Sequence, residues 1–187
     1  MTDALDLLLT RRSTRILDFA EPGPTAQETD TLLTIASRVP DHGKLAPWRF
    51  ILLEGEGRAR AGAALAAVLK EMNPEADTRR IADEQARFTR APLVVSVVSR
   101  AAPQVKIPVG DQVLGCAACA QNLLIAAAAL GYGATWLTEW AAYEPKARAA
   151  LGLAEDERIT GFVYIGTALH KLEDRPRPPL EQIVTRF

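Results

Sequence analysis

The stretch "DQVLGCAACAQNLLIAAAAL", Asp111 to Leu130, constrains the fold more than any other part of the chain. Twenty helical residues reach about 30 Å at 1.5 Å per residue, enough to cross a small domain or a bilayer. The segment is led by an aspartate, interrupted by Gln121 and Asn122, and rich in alanine rather than leucine. It therefore reads as a buried core helix, with Gly131 as its stop. A helix of this kind needs a sheet to lie on. "PLVVSVV" (Pro92–Val98) supplies the centre of one, because it is apolar at successive positions and reads as a strand covered on both faces.

The remaining elements fall around these two. "TDALDLLLTRR" reads as a short amphipathic helix capped by Thr2 or Asp3. Thr25 followed by Glu28 makes a capping box, which starts a helix running to about Ser37 and ending before Pro40. "WRFILLE" (Trp48–Glu54) has strand composition, and two helical patterns follow, divided at Asn73-Pro74. "ATWLT" and "RITGFVYIG" read as two more strands, and Pro145 suits the first turn of a small helix between them. The order is α-α-β-α-α-β-α-β-α-β, closed by a proline-rich tail. Spacing alone leaves a doubly wound sheet and an α+β sandwich equally open.

The 187 residues are expected to form a single domain, 1–187. With 48% hydrophobic and 24% charged residues, a real core is expected. A net charge of -1 gives no bulk attraction to nucleic acid or to an anionic membrane. Two cysteines and no export signal at the start predict a reduced, cytoplasmic protein.

Several chemistries are disfavoured. No G-x-G-x-x-G follows a predicted strand, and neither a P-loop nor a G-x-S-x-G elbow is present. Two histidines nearly exclude a His-rich metal site. "CAAC" (Cys116–Cys119) has C-x-x-C spacing, but it lies in the body of the alanine-rich helix, where a structural role fits better than redox or zinc chemistry. The side chains do not advertise acid–base or nucleophilic catalysis. If the chain is an enzyme, weight shifts to a cofactor that carries the reaction itself.

The feature left over is "RRSTR", Arg11 to Arg15. It reads either as a basic helix terminus, offsetting the helix dipole, or as an anion site built from guanidinium forks and small hydroxyls. Further basic residues stand at Arg38, Lys44 and in "RPRPPLE" (Arg175–Glu181).

Taken together, these segments resemble the FMN-dependent nitroreductase family, and in particular its short, single-domain NAD(P)H nitroreductases. "RRSTR" resembles the family's opening Arg-[Arg/His]-Ser-x-[Arg/Lys]. "RVPDHGKLAPWRF" resembles its Ala-Pro-Ser-x-x-Asn-x-Gln-Pro-Trp segment, with Lys44 and Ala46 where the family has Asn and Gln. "CAQNLLIAAAALGYGATW" resembles the central helix and the strand after it. "ITGFVYIG" and "RPRPPLEQIV" resemble the closing strand and tail.

The resemblance implies an α+β fold, a mainly antiparallel sheet flanked by helices, assembled as an intertwined homodimer with FMN at the interface. It implies that Arg11 and Ser13 hold the FMN phosphate with Arg12 beside them, and that Arg15 lies near the pyrimidine edge of the ring. Arg38 and His42 match positions that reach the flavin from the partner subunit. Trp136, Leu137 and Thr138 match the strand end lining the ring, and Arg175 and Arg177 match a basic pair placed on the phosphate. The implied reaction is a ping-pong hydride transfer, from NADPH or NADH through flavin N5 to a nitroaromatic, quinone or similar small acceptor. No catalytic side chain, metal, nucleic acid or membrane is implied. Dehalogenation or dehydrogenation on the same scaffold, or a low-turnover flavin-binding sensor or store, are the alternatives.

Overall fold

Strands Phe19–Ala20 (β1), Trp48–Glu54 (β2), Leu93–Ser99 (β3), Gly133–Leu137 (β4) and Arg158–Ala168 (β5) pair antiparallel throughout. The long strands run in the order β2–β3–β5–β4, with β1 on the last residues of β5. That pairing decides the question spacing left open: the fold is α+β and not doubly wound. The coordinates are a computed structural model that describes residues 3–104 and 106–187. Of the two expected caps for the first helix, Thr2 lies outside the described residues, and Asp3 makes no side-chain cap bond.

The helices are Ala4–Thr10 (α1), Ala26–Ala36 (α2), Glu56–Met72 (α3), Thr78–Gln85 (α4), Val109–Ala129 (α5), Pro145–Ala150 (α6) and Leu180–Ile183 (α7). The capping box of α2 is complete, with Thr25 and Glu28 each accepting from the other's backbone N–H. Helix α1 ends one residue before "RRSTR", so its last turn carries no cation. Two elements escaped the sequence reading, the two-residue β1 and the short α7.

β3 is buried along its whole length, as its composition predicts. Leu93, Val95 and Val97 face a core shared with Leu32 and Ala36 of α2 and with Cys116, Leu123 and Ala127 of α5. Val94 and Val98 face the opposite core, with Leu65 of α3, Phe88, Phe162 and Tyr164. Each large side chain buried on either face stabilises the fold by about 1.5–3 kcal/mol. Helix α5 is long and apolar enough to cross a membrane, yet half of its most apolar window is buried inside the fold. It lies on β3, β4, β5 and α2 as a core helix.

A bulge in β5 opposite Val97 and Val98 leaves Thr160 outside the β3 register. Its carbonyl accepts the Trp136 indole N–H at 3.2 Å. The indole passes directly over Gly161, where any Cβ would collide with it. Asn122 is half-buried on α5. Its Nδ2 donates to the Ile35 and Arg38 carbonyls at 3.0 and 3.2 Å and closes the end of α2 within the chain.

Candidate functional site

"RRSTR" leaves α1 in an extended conformation. The Arg11 N–H still caps the helix by donating to Leu7 O at 2.9 Å. Three residues on, the Thr14 N–H donates to Ala134 O at 3.0 Å, which lays the segment against β4. Extended backbone alternates its side chains. Thr14 is buried while Ser13 and Arg15 stay exposed. The approach is close enough that a side chain at Gly133 would strike the Thr14 hydroxyl and come within 2.8 Å of Ala168 Cβ.

Two clefts open along this segment and share Arg12, Ser13, Thr14, Lys171 and Leu172. The first, about 350 Å³, adds Arg11, the Gly131–Gly133 turn, Ala168 and His170. The second, about 620 Å³, adds Arg15 and Glu173. Tyr132, on the wall of the first, is held by donating its hydroxyl to Glu28 of the capping box at 2.9 Å.

The first cleft is strongly cationic. Burial foremost, and then the nearby charges of Arg177 and Arg12, lower the pKa of Arg11 from its ordinary value. Arg12 donates to the Glu173 carbonyl and lies 3.7 Å from the Asp174 carboxylate. Arg177 meets the same carboxylate at 3.3 Å. Among the described residues no carboxylate pairs with Arg11, Arg15, His170 or Lys171 within salt-bridge distance. Guanidinium forks, a hydroxyl and an ammonium around one cleft are the donor set that suits a phosphate ester.

The structure therefore brings Arg11, Arg12, Ser13 and Arg15 onto two adjoining clefts, with Arg177 close enough to act on the charge of Arg11. Arg175 is not among them: its guanidinium donates to Pro176 O at 3.3 Å and its backbone N–H to Asp174 at 2.8 Å, both local bonds. His170 and Lys171 were missed. The available signal was the His170-Lys171 pair a few residues after the last predicted strand, and its value appears only when β5 brings that strand's end beside "RRSTR".

At the far end of β4 the Trp136 indole belongs to one core and Leu137 packs against the other, with Thr138 half-buried beyond them. Trp136 thus has a packing role at the strand end that the resemblance singles out. Arg38 and His42 lie elsewhere. His42 Nδ1 meets Asp111 Oδ2 at 2.8 Å on a separate cleft of about 310 Å³ lined also by Pro40, Leu114, Gly115 and Ala118. Arg38 is exposed at the end of α2. The loop between them is shaped by Asp41, whose carboxylate accepts from the Leu45 and Ala46 N–H groups at 3.0 and 2.9 Å.

Both cysteines are buried and unpaired. The Cys116 thiol donates to Pro47 O at 3.1 Å, which supports the packing role expected for "CAAC". Among the described residues no cluster of three or more His, Cys, Asp or Glu could hold a metal ion.

Comparison with known proteins matches residues 8–167 to the model of the nitroreductase family. "Putative NAD(P)H nitroreductase YdjA" of Escherichia coli strain K12 is 36% identical over 167 residues, covering 88% of each chain. A nitroreductase-like family protein from Bacillus cereus superposes with a TM-score of 0.85 at 24% identity, covering 100% of this chain and 97% of that one. The FMN and NADPH-dependent nitroreductase NfnB from Sphigopyxis sp. strain HMH gives 0.75 at 20% identity, covering 100% and 99%.

Proposed function

The chain belongs to the nitroreductase family, and from that premise we propose that it is an FMN-dependent NAD(P)H oxidoreductase of 187 residues in one domain. The observation that carries the reading is the cationic cleft where "RRSTR" runs along β4, because its donor set fits the phosphate of FMN. When bound, FMN would supply the redox chemistry, a two-electron hydride transfer from NADH or NADPH to a nitroaromatic, quinone or similar acceptor.

The chain's own residues bind and orient. Arg11, Arg12 and Ser13 hold the phosphate, supported by His170, Lys171 and Arg177. β4 extends from this cleft at about 3.3 Å per residue, so Thr138 stands roughly 16 Å beyond Gly133 and lines the ring with Leu137 and Trp136. Arg15 offers a fixed cation to the pyrimidine edge, where negative charge gathers on reduction.

A second copy of the chain completes the site in this reading. Apolar side chains are turned outward on α1, α5 and the tail, with Leu9 77%, Leu114 70% and Ile183 64% exposed. Large apolar side chains turned outward on these elements favour an interaction face. Arg38 and His42, apart from the cationic cleft within one chain, reach the flavin from the second copy. The cytoplasm suits two unpaired buried thiols.

Two measurements test the proposal. Steady oxidation of NADPH or NADH that depends on both added FMN and a nitroaromatic or quinone is expected, and its absence contradicts the enzyme. Sedimentation is expected to give a dimer; a monomer that retains FMN contradicts the shared site.

A further inference from the structure

We propose that the ion triad Glu84–Arg87–Glu139 is a positioning device that fixes the turn Thr138–Trp140 at the end of β4, as a rigid edge for the flavin ring. The inference rests on the function proposed above, which seats the ring at that strand end.

Arg87 opens the turn after α4, and its side chain is 6% exposed. Its Nε and Nη2 donate to the two Glu84 oxygens at 2.7 and 2.5 Å, a bidentate fork. Its Nη1 pairs with the Glu139 carboxylate. One guanidinium thus ties α4 to the residue directly after Thr138. Trp140 stands beside the same cluster: against burial, the Arg87 guanidinium and then the Trp140 side chain hold the Glu84 carboxyl below its ordinary range. Phe88, the neighbour of Arg87, packs on Phe162 with ring centroids 5.2 Å apart, so the anchor itself is set in the core. The Tyr164 hydroxyl is buried against this cluster without a hydrogen-bond partner among the described residues, a spare donor facing the carboxylates.

Two physical arguments make this a positioning arrangement. Glu139 holds φ +39°, a left-handed conformation that disfavours non-glycine residues and persists only where the surroundings impose it. Burying the charged Glu84 and Arg87 side chains, with Glu139 only partly exposed beside them, is also a poor route to stability, since apolar residues of similar volume commonly serve as well or better. What the triad supplies, and an apolar cluster would not, is a directional hold on two consecutive residues at the end of β4.

The test compares Glu139→Gly, which permits the positive φ but removes the anchor, with Arg87→Met. Amide hydrogen exchange is followed in the full-length protein as purified, and the visible circular dichroism of the flavin is recorded after FMN is added. Exchange within residues 138–142 is expected to rise at least about tenfold in Glu139→Gly, with β2 and β3 unchanged, as a local rather than global opening. The flavin dichroism is expected to change with it. Wild-type exchange in the turn overturns the proposal, as does faster exchange with unchanged dichroism and FMN affinity. Should Arg87→Met fail to fold, Glu139→Gly decides alone. A wild-type protein that takes up no FMN contradicts the function proposed above, and the exchange rates then decide whether the triad anchors the turn.

Discussion

The backbone N–H of Thr14 donates to the carbonyl of Ala134 at 3.0 Å, and this bond makes "RRSTR" part of a site. It converts the segment after α1 into an extension of the sheet, with Thr14 inward and Ser13 and Arg15 outward. The cationic cleft, Gly133 and the end of β5 then share one edge.

Arg11 is a half-buried cation of that cleft. Arg11→Ala is expected to weaken FMN binding about 10- to 100-fold, the value of a hydrogen bond to a charged group at about 1.5–3 kcal/mol. Ser13→Ala is expected to cost less. Fluorescence titration of FMN measures both, and wild-type affinity in Arg11→Ala contradicts the phosphate assignment.

Asp174 stands against Arg12 and Arg177 at 3.7 and 3.3 Å, where it competes with a bound phosphate. Asp174→Asn is expected to tighten FMN binding at low salt. The gain is expected to vanish near 1 M salt, where the screening length falls to about 3 Å. Unchanged affinity at low salt would show that the carboxylate stays clear of the phosphate.

How much of this was legible beforehand follows from which forces are local. The capping box of α2, the apolar run of β3 and the alanine-rich α5 declare themselves within a few residues, because caps and burial periodicity are local. Strand direction is not local, and the spacing between elements carried no sign of it. β1 exists only because Phe19 and Ala20 meet Ala168 and Thr167. Likewise "RRSTR" stood out by composition, while His170 and Lys171 gained meaning only from the end of β5. Arg175 and Arg177 looked equivalent in sequence, yet only Arg177 turns toward Arg12 and Arg11. Glu84 and Arg87 have helix-pair spacing, but their third member, Glu139, is joined to them only by the fold.

The thiols give a separate check on the core. Burial, with Cys116 alongside, pushes Cys119 up to about 12, and burial raises Cys116 as well. The thiolate is the reactive form. At pH 8 neither cysteine is therefore expected to react with a disulfide reagent while the chain is folded, and both are expected to react in denaturant. Rapid labelling of the native protein would revive a redox role for "CAAC".

Glu157 gives a pH signature. It accepts two bonds from Arg49, both at 2.6 Å, and the Arg49 guanidinium holds its carboxyl down at about 2. A carboxyl depressed in the folded state stabilises fully above its unfolded pKa, and that stability is lost as pH falls toward the folded value. Wild-type stability is expected to decline from about pH 4.5 to about pH 2. Glu157→Gln is expected to cost about 3 kcal/mol at neutral pH and to flatten that decline. Denaturant melts across the window measure both effects.

The most direct test of the central claim is the visible absorbance of the purified protein with FMN, recorded before and after anaerobic addition of NADPH, with NADH in parallel. The two bands of a bound oxidised flavin are expected, bleached by one or both nucleotides, with weakened retention of that flavin in Arg11→Ala. A colourless protein that binds no added FMN would contradict an FMN site at this cleft and leave "RRSTR" as an ordinary segment after a helix.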